Sequence, residues 1–278
     1  MNAIITSLFH NIELDNSFRD SWRNSFKDYA ESHNSDFIDF EELRTNEITE
    51  SYKKYFLNVE EDKKEEKTYQ FAKLEFIDSA FSNGYEWVMW MDGDIAINKE
   101  TKNPFENLNK DVIYFNGAIS KPEKNRFSKG ARALINCVNE KFPIKDLKYG
   151  NSGTLTIHKD NWKKIKKQIL NSSNIISFVE NQTDFFRFPE QGVLSIALML
   201  EKIELLIFQH KRDVLHLCGV NKKRYLDYTG LDEKITKDYA LLKGRKFWWI
   251  PILEDSLERL NSNKNLIREI NDYDWSKK

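Results

Sequence analysis

Two aspartates, Asp92 and Asp94, flank Gly93 directly after the apolar run Trp87–Met91. An unbroken apolar run of this kind is typical of a strand buried on both faces of a parallel sheet. Carboxylates at the end of such a strand are costly unless something compensates their charge. A divalent cation can do so, because Mn²⁺ and Mg²⁺ take hard oxygen ligands. An exposed acidic turn is the alternative, but few such turns follow a buried run, and the position therefore favours a metal site.

A second group of residues that could do chemistry comprises His216, Gly219 and Lys222. His216 lies in the short apolar segment Val214–Leu217, and the other two residues follow that segment. Taken by itself, this histidine favours a partly buried ring whose nitrogens are satisfied by the backbone. As a metal ligand, an imidazole suits Mn²⁺ better than Mg²⁺. Gly219 permits close approach of the backbone and Lys222 supplies a cation, which together suit a diphosphate. The segment is therefore a candidate loop for a metal and a phosphate.

The elements that must position these residues alternate along the chain. The apolar runs predict strands at Ala3–Phe9, Asp36–Phe40, Trp87–Met91, Val112–Phe115, Thr154–Ile157, Leu205–Phe208 and Val214–Leu217. Helical spacing of apolar residues predicts helices at Asn16–Ala30, Thr68–Phe81, Asn161–Leu170 and from Glu190 to about Leu200. This alternation predicts an α/β fold with a mostly parallel, doubly wound sheet. Ligands of such sheets sit beyond the carboxyl ends of the strands, where Asp92 is expected.

The composition indicates a globular protein without a strong charge bias. Apolar residues make up 40% of the 278 residues, and 43 Lys and Arg nearly balance 44 Asp and Glu. This balance disfavours a nucleic-acid partner, which usually meets a basic domain or stripe. No apolar stretch approaches the roughly 20 residues that cross a bilayer. We therefore expect a protein of the bacterial or viral-host cytoplasm without a transmembrane segment.

The chain shows neither an internal repeat nor a linker rich in Pro, Ser or Gly. We expect one domain over 1–278, with a core over about 1–225 and a C-terminal helical extension over about 226–278. The extension contains the basic and aromatic segment Lys243–Ile250. Packing of its aromatic residues onto the domain is the favoured interpretation, and peripheral docking to a membrane is the alternative.

Four segments of the sequence resemble the retaining glycosyltransferases of the GT-A fold. The segments, in order along the chain, are YEWVMWMDGDIAI, NSGTLTIHKDNW, FPEQGVLSIAL and VLHLCGVNK. They span roughly Tyr85 to Lys222 and are most similar to glycosyltransferase family 34, the galactosyl- and mannosyltransferases. Family 8, the glycogenin-like enzymes, is next. The resemblance implies a Rossmann-like GT-A domain that transfers a sugar from a nucleotide-sugar donor to an acceptor hydroxyl.

The resemblance also implies a role for each chemically capable residue of the two loops. Asp92 and Asp94 would hold Mn²⁺ (or Mg²⁺), which bridges the donor diphosphate, and His216 would be a further ligand. Gly219 and Lys222 would lie at the diphosphate. The metal and the lysine would stabilise the charge that develops on the departing nucleoside diphosphate.

Further segments would contact the donor and the acceptor. The end of the first strand, represented by Ile5, Thr6 and Ser7, would touch the nucleotide base. Asn151 and Ser152 would face the sugar or the acceptor, although alone they indicate a plain turn.

Glu190 and Gln191 would lie beside the anomeric carbon. At a helix start, however, a glutamate more often complements the helix dipole. If transfer retains configuration, the departing phosphate oxygen could accept the proton of the incoming hydroxyl. The other route needs a carboxylate nucleophile, for which Glu190 and Asp184 are the candidates.

Several acceptors and two other functions remain open from the sequence. The acceptor could be a saccharide, a lipid-linked sugar or a protein. Modified DNA is a disfavoured acceptor because of the near-neutral charge. A metal-dependent phosphohydrolase or nucleotidyltransferase could use the same aspartates and would release nucleoside monophosphate. A binding module with a relic site would show no metal-dependent response to nucleotide-sugars.

Overall fold

The computed structural model describes residues 1–7, 16–40, 47–93, 95–97, 102–115, 150, 152–182, 189–207 and 214–216. Its strands are β1 (Asn2–Thr6), β2 (Asp36–Asp39), β3 (Trp87–Met91), β4 (Ile95–Ile97), β5 (Val112–Phe115), β6 (Thr154–His158), β7 (Glu204–Ile207) and β8 (Val214–His216). Its helices are α1 (Asn16–Ser32), α2 (Glu47–Lys53), α3 (Glu61–Gln70), α4 (Ala72–Ser82), α5 (Lys159–Asn171), α6 (Ser173–Glu180) and α7 (Pro189–Leu200). The predicted C-terminal extension lies outside the described residues.

Six strands form one sheet in the order β2-β1-β3-β6-β5-β7, and β4 and β8 form a separate pair. Strand β1 runs parallel to β3, and β5 runs parallel to β7, whereas β5 and β6 are antiparallel. Almost every residue of β1, β3, β5 and β6 is buried, as expected of strands covered on both faces. The predicted α/β fold with a mostly parallel sheet is confirmed.

The backbone divides into two compact units, and two of the boundaries between them fall inside β1 and β3. The first unit comprises Met1–Ile5, Glu42–Trp90 and Asn107–Phe208. The second comprises Thr6–Glu41, Met91–Glu106 and Gln209–Lys278. The first unit therefore holds most of the sheet with helices α2 to α7, and the second holds the loops that leave β1 and β3. The expectation of one domain over 1–278 stays a prediction.

The helix predicted over Thr68–Phe81 is interrupted in the structure. Helix α3 ends at Gln70, and Phe71 forms a turn before α4 begins. The Phe71 ring is fully buried, stacks on Tyr52 at 4.7 Å and contacts Phe56 at 5.9 Å between centroids. The apolar spacing was correct for packing, but it could not reveal that this aromatic cluster occupies the break between two helices.

The ends of two helices test local sequence signals. Asn83-Gly84 is the expected end of α4, and Gly84 does adopt the left-handed conformation with φ +91°. Asp160 directly precedes the helix predicted at Asn161–Leu170 and is therefore expected to cap it, but this expectation is wrong. The cap is His158, whose Nδ1 accepts a hydrogen bond from the backbone N–H of Asp160 at 3.3 Å. Within the described residues, no helix has both the length and the apolar character needed to cross a membrane.

Candidate active site

The second unit brings together the chain segments that leave β1, β2 and β3. The hydroxyl of Thr6 donates to the carbonyl of Met91 at 2.7 Å, which ties the end of β1 to the end of β3. The backbone N–H of Phe40 donates to the carbonyl of Thr6 at 3.0 Å, which ties β2 to β1. The hydroxyl of Ser7 donates to the carbonyl of Phe40 at 3.2 Å. This edge of the sheet is the place where open α/β sheets bind ligands.

Asp92 leaves β3 at this edge in a tight turn. The backbone N–H of Ile95 donates to the carbonyl of Asp92 at 3.1 Å, closing a four-residue turn between β3 and β4. Gly93 is buried inside this turn, whereas Asp92 is half-buried. The turn thus keeps the Asp92 carboxylate at the end of a buried strand without enclosing it completely. Asp94 lies outside the described residues.

Strand β8 brings the backbone of His216 to the same turn. Strands β4 and β8 are antiparallel, and their register pairs Ile95 with His216 and Ile97 with Val214. Directly opposed residues of antiparallel strands have Cα atoms about 4.5–5.5 Å apart. His216 is therefore beside the turn that contains Asp92, although the two residues are far apart in the sequence.

The donor set of the predicted metal site fits a divalent cation in its chemistry. Aspartate oxygens suit Mn²⁺ and Mg²⁺, and an imidazole nitrogen shifts the preference towards Mn²⁺. Among the residues that the structure describes, no group of three His, Cys, Asp or Glu side chains could hold a metal ion. Asp94 and the side chain of His216 lie outside that set, so the metal site stays a prediction.

A second carboxylate at this edge, Asp39, belongs to an ion pair that the sequence did not reveal. Arg23 of α1 donates from Nε at 2.9 Å and from Nη2 at 2.6 Å to Oδ2 of Asp39. The Asp39 side chain is only 7% exposed, so its charge is compensated by the guanidinium. The pair fixes α1 against the end of β2. No spacing rule links Arg23 to Asp39, because they belong to separate elements.

The first unit holds another polar cluster, made of Lys73, Ser152 and Glu190. The ammonium of Lys73 donates to Ser152 Oγ at 3.0 Å and to the Ser152 carbonyl at 3.1 Å. Ser152 Oγ in turn donates to Glu190 Oε1 at 3.3 Å. Lys73 Nζ lies 3.9 Å from the same oxygen of Glu190. Two predicted site residues are thus joined through a lysine that the sequence analysis missed.

A signal for Lys73 exists in the sequence. Lys73, Ile77 and Ala80 follow the i, i+4, i+7 spacing of one helix face, and the latter two are buried. A lysine on an apolar face must find a partner for its charge. Its ammonium also lies 5.5 Å from the ring centroid of Trp90, within range of a cation–π interaction.

The other predicted residues are placed as follows. Ile5 and Thr6 are fully buried in β1, Ser7 is half-buried, and Gln191 is buried in the first turn of α7. Asn151, Asp184, Gly219 and Lys222 lie outside the described residues. Their proposed roles therefore stay predictions.

Comparison with known protein families finds no match for this chain, and comparison with curated proteins finds none. Among solved structures, the chain is similar to a glycosyltransferase involved in the glycosylation of the major capsid of PBCV-1. The two share 16% identity with a TM-score of 0.43, over 80% of this chain and 97% of the other. A likeness of this size supports neither family 34 nor family 8.

Proposed function

We propose that this protein is a metal-dependent glycosyltransferase that moves a sugar from a UDP- or GDP-sugar to an acceptor hydroxyl. The observation that carries the proposal is the pairing of Ile95 with His216. This pairing brings the backbone of His216, a predicted nitrogen ligand, beside the turn that begins with Asp92, a predicted oxygen ligand. The sequence resemblance to retaining GT-A enzymes implies that both residues hold the same metal ion.

Asp92, Asp94 and His216 are the residues that would hold Mn²⁺ or Mg²⁺. When bound, the ion would supply positive charge to stabilise the departing nucleoside diphosphate. Lys222 would add a second positive charge at the diphosphate, and Gly219 would allow its backbone to approach. Ser7, the half-buried residue that follows β1, is better placed to meet the base than the fully buried Ile5 and Thr6.

The contacts of Glu190 favour one of the two retaining routes. Its carboxylate accepts a hydrogen bond from Ser152 and lies 3.9 Å from the Lys73 ammonium. Charge-assisted contacts of this kind stabilise a carboxylate and make it a weaker nucleophile. We therefore favour the route in which the phosphate oxygen of the leaving group takes the acceptor's proton. Glu190 and Gln191 then serve to orient the sugar, and Asp184 remains the other candidate nucleophile.

The acceptor is proposed to be a saccharide, a lipid-linked sugar or a protein. The balance of 43 basic and 44 acidic residues gives duplex DNA no broad electrostatic attraction. A strongly salt-dependent affinity for DNA would be evidence for the modified-DNA alternative.

A donor screen tests the proposed function. The protein is mixed with UDP- and GDP-sugars with and without Mn²⁺, and its unfolding temperature and reaction products are measured. We expect one donor class to raise the unfolding temperature only with Mn²⁺, and the nucleotide product to be a diphosphate. Release of nucleoside monophosphate and sugar phosphate would support a phosphohydrolase instead, and release of sugar phosphate without free nucleoside monophosphate would support a nucleotidyltransferase. The absence of both a thermal response and a product would contradict the proposal.

A further inference from the structure

The ammonium of Lys73 is held on several sides within the first unit. Its side chain is 11% exposed, and it donates two hydrogen bonds to Ser152. The Trp90 ring lies beneath it at 5.5 Å, and Phe76 stacks on that ring at 6.0 Å with an interplanar angle of 10°. A lysine held in this way loses much of its rotational freedom, so its position is well defined.

Glu190 is the carboxylate that this ammonium faces. It is 3% exposed and lies in the first turn of α7. A buried carboxylate tends to become protonated unless positive charge or hydrogen-bond donors stabilise its ionised form. Three groups stabilise the ionised form of Glu190: the N-terminus of α7, the Ser152 hydroxyl and the Lys73 ammonium.

The stability of the fold alone does not explain this arrangement. Breaking a buried ion pair is destabilising, but apolar side chains of similar volume usually serve a core as well or better. The face of α4 next to Lys73 is already apolar, with Ile77 and Ala80 fully buried. A charged pair at this position is better explained by a requirement for a fixed, ionised carboxylate.

We propose that Lys73 is a positioning residue that, together with Ser152, fixes the ionised Glu190 carboxylate where it orients the bound donor sugar for transfer. The role of Glu190 at the sugar rests on the proposed function, whereas the coupling of Lys73 to Glu190 does not. Lys73 acts through Glu190, so removing it matters only while the carboxylate is present.

A double-mutant cycle tests this coupling. The variants are Lys73→Met, Glu190→Gln and the combination, with Lys73→Arg to restore the charge. Lys163→Met is the matched control, because Lys163 is an exposed lysine on α5. Thermal unfolding is measured for every variant, and kcat and KM for the donor are measured with the substrate found in the screen.

Thermal unfolding tests the coupling between Lys73 and Glu190 independently of any enzymatic activity. We expect Lys73→Met to lower the unfolding temperature by on the order of 10 °C, because it leaves Glu190 buried without its ammonium. In the Glu190→Gln background the same change should cost less than half as much. Equal losses in the two backgrounds would overturn the coupling, even if the protein proves to be an active glycosyltransferase.

Kinetics decides the positioning role. Lys73→Met should lower kcat about 10²-fold with little change in KM, as expected when a catalytic group is misplaced by about 1 Å. Lys73→Arg should recover most of that loss, and Lys73→Met should cause little further loss in the Glu190→Gln background. Losses that multiply, or an unchanged kcat in folded Lys73→Met, would overturn the positioning role. A wild type without transfer activity would refute the proposed function and the positioning role at the sugar. The coupling of Lys73 to Glu190 would then be decided by the thermal unfolding of the four proteins of the cycle.

Discussion

Gly150 lies two residues before Ser152, and one methyl group added there should disturb the core of the first unit. A Cβ atom at Gly150 would lie 2.9 Å from Cδ1 of Phe115 and 3.3 Å from Cδ2 of Leu205. The first distance is shorter than a van der Waals contact, and the atom belongs to a rigid ring that is 2% exposed in β5. Because the ring has little room to move, Gly150→Ala forces either the ring or the chain at residue 150 to shift.

The expected cost is that of an overpacked core. Forcing an extra carbon into a well-packed interior costs about 1–3 kcal/mol. For a protein of this size, each kcal/mol lowers the unfolding temperature by about 2–4 °C, and the total is therefore about 2–12 °C. Since Ser152 is two residues away, a shift of the chain should also weaken its contact with Glu190 and lower kcat more than KM.

Chemical denaturation of Gly150→Ala and wild type measures the change in the free energy of unfolding. Gly84→Asn is the control, because Gly84 has φ +91° and nothing within 4 Å of its Cβ position. Asparagine tolerates the left-handed conformation better than most side chains but is still strained at this φ, so this control should cost about 1 kcal/mol without a steric clash. A Gly150→Ala protein as stable as wild type would show that the Phe115 ring yields freely, and the steric argument would be refuted.

Two further predictions concern contacts that support the first unit. Tyr52→Phe should lower the free energy of unfolding by about 0.5–1.5 kcal/mol, because the buried Tyr52 hydroxyl donates to the carbonyl of Ile169; equal denaturation midpoints for variant and wild type would contradict this. Burial lowers the pKa of Lys166, but hydrogen bonds and charge from Asp78 and Glu47 outweigh burial and raise it above its usual value. The contribution of this pairing should therefore be complete below the usual lysine pKa and should disappear as the pH rises through the raised one. Unfolding of wild type and Lys166→Met across alkaline pH checks this sign, and a stability difference that grows with pH would refute it.

The sequence predicted the parts of the fold that depend on strong local patterns. The run Trp87–Met91 is apolar throughout because both faces of β3 are covered, and this made the strand and the position of Asp92 predictable. The end of α4 was predictable for a similar reason, since Gly84 supplies the left-handed conformation that ends a helix.

The features that escaped prediction depend on contacts between distant segments. Phe71 interrupts a helix because its ring packs between Tyr52 and Phe56, and no local spacing encodes that choice. His158 takes the capping role expected of Asp160, since the side chain at the end of β6 already reaches the first turn of α5.

Lys73 differs from these cases because the sequence did contain a signal for it. A lysine on the apolar face of a helix indicates a buried partner. Only the tertiary structure shows that this partner set includes Ser152 and Glu190. The polar contacts of a site are thus harder to predict than the strand ends that carry the predicted metal ligands.

Binding of Mn²⁺ measured by electron paramagnetic resonance tests the central claim most directly. The free Mn²⁺ signal is followed during titration with wild type, Asp92→Ala and Asp111→Ala, with and without UDP and GDP. Asp111 is an exposed carboxylate in the turn before β5 and serves as the matched control. The account predicts one site in wild type and in Asp111→Ala, strengthened by one of the nucleotides and lost in Asp92→Ala. Equal Mn²⁺ binding by wild type and Asp92→Ala would contradict it.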